Sequence, residues 1–262
     1  MKFGIHVPNF GPFADPVLIG ELAAAAEASG WDGYFLWDHI ARPEGVFPMC
    51  EPWVGLTVAA TMTERVLLGL LVTPLPRRRP WNVARQIATL DHLTGGRVVF
   101  GIGLGVSSGP EFHDFGEESD PRIRGDILDE GLAIVRAAWT GEPVTHHGVH
   151  FRVNGVALLP PPVQSRVPIW GATERVRGRP VRRAATLDGV FPFGLNPDQG
   201  RELLDVIAEL RPNGLDDYEL IAAGDDGWEA WREAGATWWL RVLPWAGSTA
   251  EAHAIIDAGP PS

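Results

Sequence analysis

The sequence predicts an α/β fold, a closed (β/α)8 TIM barrel that forms a single domain over residues 1–262. Short apolar runs alternate with longer segments of helical periodicity eight times within 262 residues, which is typical of this barrel. No linker rich in Pro, Gly or Ser is long enough to divide the chain. An open, doubly wound sheet is the alternative fold that the same alternation permits.

The first half of the chain contains four predicted strands, at residues 3–8, 34–37, 66–72 and 98–105. The second is continuously apolar, as expected for a parallel strand that is covered on both faces. Helices begin at Asp15-Pro16, near residue 52 and at Pro80, because proline favours the first helical turn.

The second half continues the alternation after one insertion. Asp120-Pro121 begins a helix that extends to about Trp139, and residues 142–152 predict a small β-hairpin that turns near Gly148, before the fifth barrel strand. The remaining strands are predicted at 167–171, 189–193, 217–223 and 236–243, with helices at about 180–187, 197–210, 227–234 and 248–258.

Composition excludes several classes of function. The net charge of −11 argues against nucleic-acid binding, which needs a basic surface. No apolar run is long enough to span a membrane, and the first residues lack the charged leader of a signal peptide. The single cysteine, Cys50, permits no internal disulfide. We therefore expect a cytoplasmic protein that binds neither membranes nor nucleic acids.

Asp38-His39 follows the second strand directly, where the carboxyl ends of barrel strands carry chemistry. A histidine there can exchange a proton at neutral pH with a molecule in the barrel mouth. The alternative is a purely structural loop, in which His39 caps the turn and Asp38 binds turn amides.

Gly101, Gly103 and Gly105 share one face of the fourth strand because strand side chains alternate. Because this face has almost no side chains, we predict either that a flat ring binds against it or that it packs tightly inside the barrel. The sequence does not decide between the two.

Basic and histidine clusters suggest ligands less directly. Arginines at 175–183 follow Gly171-Ala172-Thr173, where backbone amides attract phosphate; the alternative is a solvated helix face. Arg77-Arg78-Arg79 predicts either contact with a coenzyme's anionic tail or an exposed loop. His146, His147 and His150 have no acidic or cysteine partner at a familiar spacing, so we predict no metal site.

An ordered set of motifs resembles the bacterial-luciferase-like flavin-dependent oxidoreductases over about residues 1–195. The motifs are Trp37-Asp38-His39, Leu68-Gly69 through Thr73-Pro74, residues 88–97 (ATLDHLTGGR), Gly101 to Gly105, residues 138–143 (AWTGEP), residues 159–164 (LPPPVQ), Pro168-Ile169-Trp170 and Ala184 to Gly189.

The resemblance implies a TIM barrel that binds FMN or the deazaflavin coenzyme F420 at its carboxyl-terminal mouth. His39 would be catalytic, beside the coenzyme ring. Thr73 would contact the ring after a non-proline cis bond within residues 70–72. The coenzyme-binding residues implied are Asp38, Leu71, Thr73, Gly105, Val106 and Ser107, with Ala172, Thr173, Glu174, Gly189 and Val190 around the phosphate.

The implied activity is hydride transfer between the coenzyme and a small organic substrate, with homodimers in solution. Asp38-His39 and the arginine loop favour F420 over FMN, whereas FMN would also permit a monooxygenase. The alternative is a flavin-binding protein without turnover. Val106 stands where F420-dependent sugar-phosphate dehydrogenases carry a carboxylate that transfers a proton. The sequence shows no evident residue for that role here.

Overall fold

The computed structural model describes residues 1–106 and 109–261. Its strands are β1 (Lys2–Val7), β2 (Gly33–Leu36), β3 (Leu67–Pro74), β4 (Val98–Gly103), β5 (Val144–His147), β6 (Arg152–Val156), β7 (Ile169–Thr173), β8 (Gly189–Pro192), β9 (Glu219–Gly224) and β10 (Trp238–Val242). Its α-helices are α1 (Pro16–Ala28), α2 (Pro52–Thr61), α3 (Pro80–Thr94), α4 (Pro110–His113), α5 (Pro121–Ala138), α6 (Arg179–Ala184), α7 (Pro197–Leu210), α8 (Trp228–Glu233) and α9 (Thr249–Asp257).

Eight parallel strands form a closed barrel in the order β1-β10-β9-β8-β7-β4-β3-β2. The barrel closes because β1 pairs with β10 on one side and with β2 on the other. The predicted TIM barrel is confirmed, and the alternative of an open doubly wound sheet is wrong.

The predicted hairpin is also confirmed as a separate antiparallel sheet of β5 and β6, inserted before the fifth barrel strand, β7. Glu130 on α5 anchors it. Its carboxylate binds the His146 ring at 2.9 Å and accepts from the amides of His150 at 3.0 Å and Phe151 at 2.7 Å. These histidines therefore belong to the hairpin's attachment. Within residues 1–106 and 109–261, no group of three or more His, Cys, Asp or Glu is arranged to hold a metal ion.

Local sequence signals explain where the helices begin and end. Asp15 caps α1 by accepting from the Val17 amide, and Asn196 forms a reciprocal capping box with Gln199 at the start of α7. Gly95 ends α3 in the left-handed conformation (φ 65°), where glycine has no steric penalty. Among the described residues, no helix is both long and apolar enough to cross a bilayer.

The barrel interior is a packed apolar cluster and not a pore. Its buried members are Phe35, Leu71, Val99, Trp170, Phe191, Ile221, Trp238 and Leu240. Two other clusters fill the layer between the strands and the surrounding helices.

A bulge in β3 explains the bare glycine face of β4. The register between β3 and β4 shifts between Leu70 and Thr73, and the Leu71-Val72 peptide is cis, as the family resemblance implied. A Cβ on Gly101 would lie 2.3 Å from the Leu70 carbonyl oxygen, and one on Gly103 would lie 2.6 Å from Val72 Cγ2. Tight packing against the bulge therefore accounts for Gly101 and Gly103. It leaves no space for a flat ring to bind on this face of β4.

Candidate active site

His39 lies at the carboxyl end of β2 in a network of polar partners. Its Nδ1 is 3.0 Å from Oε1 of Glu111, a buried carboxylate on α4, and its Nε2 is 3.1 Å from Nη1 of Arg42. A carboxylate accepts and a guanidinium only donates, so both contacts are satisfied by a neutral ring with its proton on Nδ1. Nε2 is then the basic nitrogen, and Arg42 is the group that covers it.

Two further groups fix the position of this pair. The side-chain amide of Asn9 donates to the His39 carbonyl at 2.8 Å, and its oxygen accepts from the His39 amide at 3.1 Å. Glu111 Oε1 also accepts from the Ile40 amide at 2.8 Å. Burial by itself raises the pKa of Glu111. The hydrogen bond and charge of His39, the charge of Arg77 and the Ile40 amide outweigh it and lower that pKa. Glu111 is therefore ionised at neutral pH and orients the imidazole.

Asp38 lies beside His39 in sequence but has different partners. Its carboxylate binds Arg77 Nη2 at 2.7 Å, Arg78 Nε at 2.8 Å and Arg78 Nη2 at 2.7 Å, and its side chain has no exposed surface. Both carboxylate oxygens are thus engaged by arginines, and the implied role of Asp38 in binding a coenzyme stays a prediction. The exposed-loop alternative for the arginine run holds only for Arg79, since Arg77 and Arg78 clamp Asp38.

The floor of the mouth carries polar atoms that lack partners within the described residues. His6 on β1 donates from Nε2 to the Leu71 carbonyl at 2.7 Å, which leaves its Nδ1 as an unused acceptor. Trp37 Nε1 and Thr73 Oγ1 are likewise buried without a protein partner. Burial lowers the pKa of His6 to about 4, with a smaller contribution from the charge of His39, so this ring is neutral at pH 7.

The end of β7 meets the same edge of the barrel. Ala172 is partly exposed and packs against the interior cluster, whereas Thr173 is buried and its hydroxyl donates to the Arg175 carbonyl at 2.8 Å. Glu174 is exposed in the following loop.

Gly189 and Val190 are placed differently from Ala172 and Thr173. Gly189 begins β8 at the opposite end of the strand, and Val190 packs outward against Val181 and Leu203 in the helical layer. Their implied contact with a phosphate stays a prediction, and the topology places both residues away from Ala172 and Thr173.

Gly105 and Val106 follow β4 at the mouth. Gly105 adopts φ 78°, and a Cβ there would lie 2.8 Å from the Phe112 ring and 2.9 Å from Pro74, so only glycine fits. Val106 is half-buried. Ser107, the third residue implied here, lies outside the described residues.

Two of the five arginines after β7 pair with carboxylates on α5. Arg179 binds Asp126 at 2.6 Å and Asp129 at 2.6 Å, and Arg183 binds Asp129. They line a cleft of about 380 Å³ between α5 and α6, on the outside of the barrel. Arg182 is exposed on α6, as the solvated-face alternative predicted for at least one of them.

An aromatic wall stands beside His39. Phe10 packs against Trp37, Phe47 and Trp245 with ring-centroid distances of 5.9, 5.5 and 6.2 Å, and the Arg42 guanidinium lies 5.2 Å from the Phe10 ring. Sequence reasoning missed Glu111, Arg42 and most of this wall. Acidic and aromatic residues in loops carry no periodic signal, and only the fold brings them to His39.

The sequence as a whole matches the profile of one family. The description of that family is luciferase-like monooxygenase, and the match covers residues 1–259. The chain belongs to the luciferase-like monooxygenase family. The resemblance inferred from the motifs is therefore confirmed.

Curated relatives fall into the same family. An F420-dependent glucose-6-phosphate dehydrogenase of Nakamurella multipartita is 33% identical over 205 residues, which are 73% of this chain and 58% of the relative. The chain thus spans somewhat more than half the length of that relative. An uncharacterised protein of Mycobacterium bovis is 36% identical over 199 residues, 74% of this chain and 70% of its own.

Solved structures support the fold. An F420-dependent secondary alcohol dehydrogenase, determined with an F420-acetone adduct, superposes with a TM-score of 0.84 at 17% identity, covering 98% of this chain and 97% of that one. The monooxygenase RslO1 from Streptomyces bottropensis gives a TM-score of 0.71 at 26% identity, with coverage of 90% and 75%.

Proposed function

We propose that this chain is an oxidoreductase that transfers hydride between a deazaflavin or flavin coenzyme and a small organic substrate at the barrel mouth. The observation that carries the proposal is the His39–Glu111 pair, with a Nδ1 to Oε1 distance of 3.0 Å, at the edge where barrel enzymes place their chemistry. Both the glucose-6-phosphate dehydrogenase and the alcohol dehydrogenase above are named as F420-dependent.

The mouth fits a tricyclic ring that bears carbonyl oxygens and ring nitrogens. Flat apolar walls suit the ring faces, and buried polar atoms without protein partners suit its edges. Both are present within the described residues: the unpartnered atoms are His6 Nδ1, Trp37 Nε1 and Thr73 Oγ1. Leu71 and Thr73 would hold the ring of the coenzyme. One side of it would be bound by Gly105, Val106 and Ser107. The phosphate would be bound by the backbone of Ala172, Thr173 and Glu174.

Proton transfer is the task of the protein in this reaction. The bound coenzyme supplies the hydride acceptor or donor. Arg42 Nη1 donates to His39 Nε2 in this structure, so a substrate hydroxyl must take the place of Nη1 before Nε2 accepts its proton or returns it. Ionised Glu111 then stabilises the imidazolium that results. Glu111 therefore supplies the carboxylate for proton transfer, which the Val106 side chain cannot provide.

The coenzyme is the finer question, and we propose F420. The curated relative at 33% identity is F420-dependent by name. FMN and a monooxygenase reaction are the second candidate, favoured by the 26% identity to RslO1.

We also propose a cytoplasmic homodimer, which size-exclusion chromatography with light scattering would test.

Equilibrium titration of the purified chain with F420 and with FMN, followed by absorbance and fluorescence, tests the proposal. We expect F420 to bind more tightly than FMN. Preferential binding of FMN would instead favour the monooxygenase candidate, and failure of both to bind would contradict the proposal. Reduced coenzyme that is reoxidised no faster with candidate carbonyl substrates than with buffer would indicate a binding protein without turnover.

A further inference from the structure

The loop after β2 places a guanidinium directly over the proposed proton-transfer group. Arg42 Nη1 lies 3.1 Å from His39 Nε2, and the guanidinium carbon is 5.2 Å from the Phe10 ring and 6.0 Å from the Trp37 ring. The Arg42 side chain is only 15% exposed. The Arg42 guanidinium therefore lies between two aromatic rings beside His39, where it can contact a substrate that reacts at the imidazole.

The anion that Arg42 binds in this structure comes from its own loop. Glu44 accepts from Arg42 Nε at 2.9 Å and from Nη2 at 2.7 Å, the paired contacts with which arginine recognises a carboxylate. The Glu44 side chain is 42% exposed, far more than that of Arg42. Its slight burial raises the pKa of Glu44, but its own backbone amide and the hydrogen bond and charge of Arg42 lower it overall, so it is ionised at neutral pH.

The two residues therefore contribute unequally to the site. Arg42 packs on Phe10 and Trp37, whereas Glu44 is 42% exposed and reaches it from solvent, so Glu44 is the partner that an incoming carboxylate can replace.

We propose that Arg42 is the substrate-carboxylate anchor of this site, that Glu44 occupies the carboxylate position until substrate displaces it, and that the substrate is a small carboxylic acid with an apolar or aromatic body. Phe47 and Trp245, which pack on the buried Phe10 ring and keep exposed surface, account for the apolar part. This inference rests on the proposed function, because it assigns the substrate class of the same mouth.

Calorimetric titration of the full chain with benzoate and with benzamide, which has the same shape without the charge, tests the inference. We expect benzoate to bind at least about tenfold more tightly, as a charged hydrogen-bonded pair implies. Arg42→Gln should abolish that preference. Glu44→Gln should strengthen benzoate binding several-fold, a gain that a merely structural ion pair would not produce.

Arg65→Gln is the matched control, because Arg65 is 71% exposed and contacts only Glu27 among the carboxylates of the described residues. It should leave both affinities unchanged. Equal binding of the two probes, no binding of benzoate, or full benzoate affinity in Arg42→Gln would overturn the inference. Titration of the wild-type chain with F420 and FMN separates the two proposals. Wild type that binds a coenzyme but does not prefer benzoate to benzamide would reject the anchor alone, and wild type that prefers benzoate but binds neither coenzyme would reject the coenzyme proposal alone.

Discussion

Two adjacent residues after β2 have different partners. The Asp38 carboxylate is fully buried and pairs with Arg77 and Arg78, whereas the His39 ring is 13% exposed and pairs with Glu111. The first ion pair secures the loop against the arginine run, and the second orients the imidazole. In our proposal, Asp38 therefore supports the loop and His39 exchanges protons.

Replacement of Asp38 by asparagine should destabilise the protein strongly. It removes the charge that compensates two largely buried guanidinium groups, and breaking a buried pair in this way costs about 3 kcal/mol or more. Chemical denaturation measures the change in the free energy of unfolding. Asp114→Asn, in a pair whose side chains are 86% and 64% exposed, is the control and should change that free energy by less than about 0.5 kcal/mol. Equal effects of the two substitutions would contradict this account of Asp38.

His6 should make stability depend on pH below neutrality. Its pKa is about 4 in the folded protein and about 6.5 when unfolded, so the unfolded chain binds the proton more readily. The stabilising contribution is complete above pH 6.5 and is lost as pH falls towards 4. Between pH 7 and pH 5, wild type should lose about 2 kcal/mol that His6→Gln does not lose.

Denaturant unfolding of both proteins at the two pH values measures that difference. His113→Gln is the control, since its ring is 86% exposed, and it should follow wild type. A His6→Gln variant that lost the same stability as wild type would show that the buried ring is not the cause.

At the scale of elements, β3 and β4 form one unit. The bulge at Leu71 and Val72 occupies the space that the β4 glycines leave, and it brings the Leu71 carbonyl to His6 at 2.7 Å. The floor of the mouth is therefore formed by the bulge in β3 together with the glycine positions of β4, which have no side chains.

Gly101→Ala should therefore be strongly destabilising. The new methyl group would meet backbone atoms, the Leu70 carbonyl oxygen at 2.3 Å and Leu71 Cα at 3.2 Å, which cannot rotate away. We expect a loss of about 3 kcal/mol in the free energy of unfolding. Gly125→Ala on α5 is the control, because its Cβ would have an ordinary contact at 3.4 Å from Arg179 Nη1 and alanine favours a helix, so stability should hold or rise. A tolerated Gly101→Ala would contradict the packing explanation.

The sequence predicts elements well where periodicity and end signals agree. The helix expected at 197–210 is α7 without change, since Asn196, Pro197 and Gln199 mark its start. The strand expected at 66–72 is β3 at 67–74, because a bulge breaks the alternation that would mark its end. The link between Glu111 and His39 joins residues 72 positions apart, and no local pattern encodes such a contact.

At the scale of the whole molecule, packing divides the barrel into a closed lower part and an open rim. Large rings such as Trp170 and Trp238 fill the interior, while Ala172, with its small side chain, is partly exposed at the carboxyl end of β7. His39, Glu111 and Arg42 lie at the same end of the barrel. The central claim is that the coenzyme ring binds at this edge, against Ala172.

Coenzyme titration of Ala172→Phe tests that claim most directly. The added ring would fill the space above the interior cluster, and Val163→Phe, at a position that is 51% exposed before β7, adds bulk outside the mouth as the control. For a folded Ala172→Phe variant, we predict that the affinity for the coenzyme that wild type binds falls by about a hundredfold or more, as a lost ring contact implies, while Val163→Phe binds like wild type. Unchanged affinity in folded Ala172→Phe would place the coenzyme elsewhere and contradict the account.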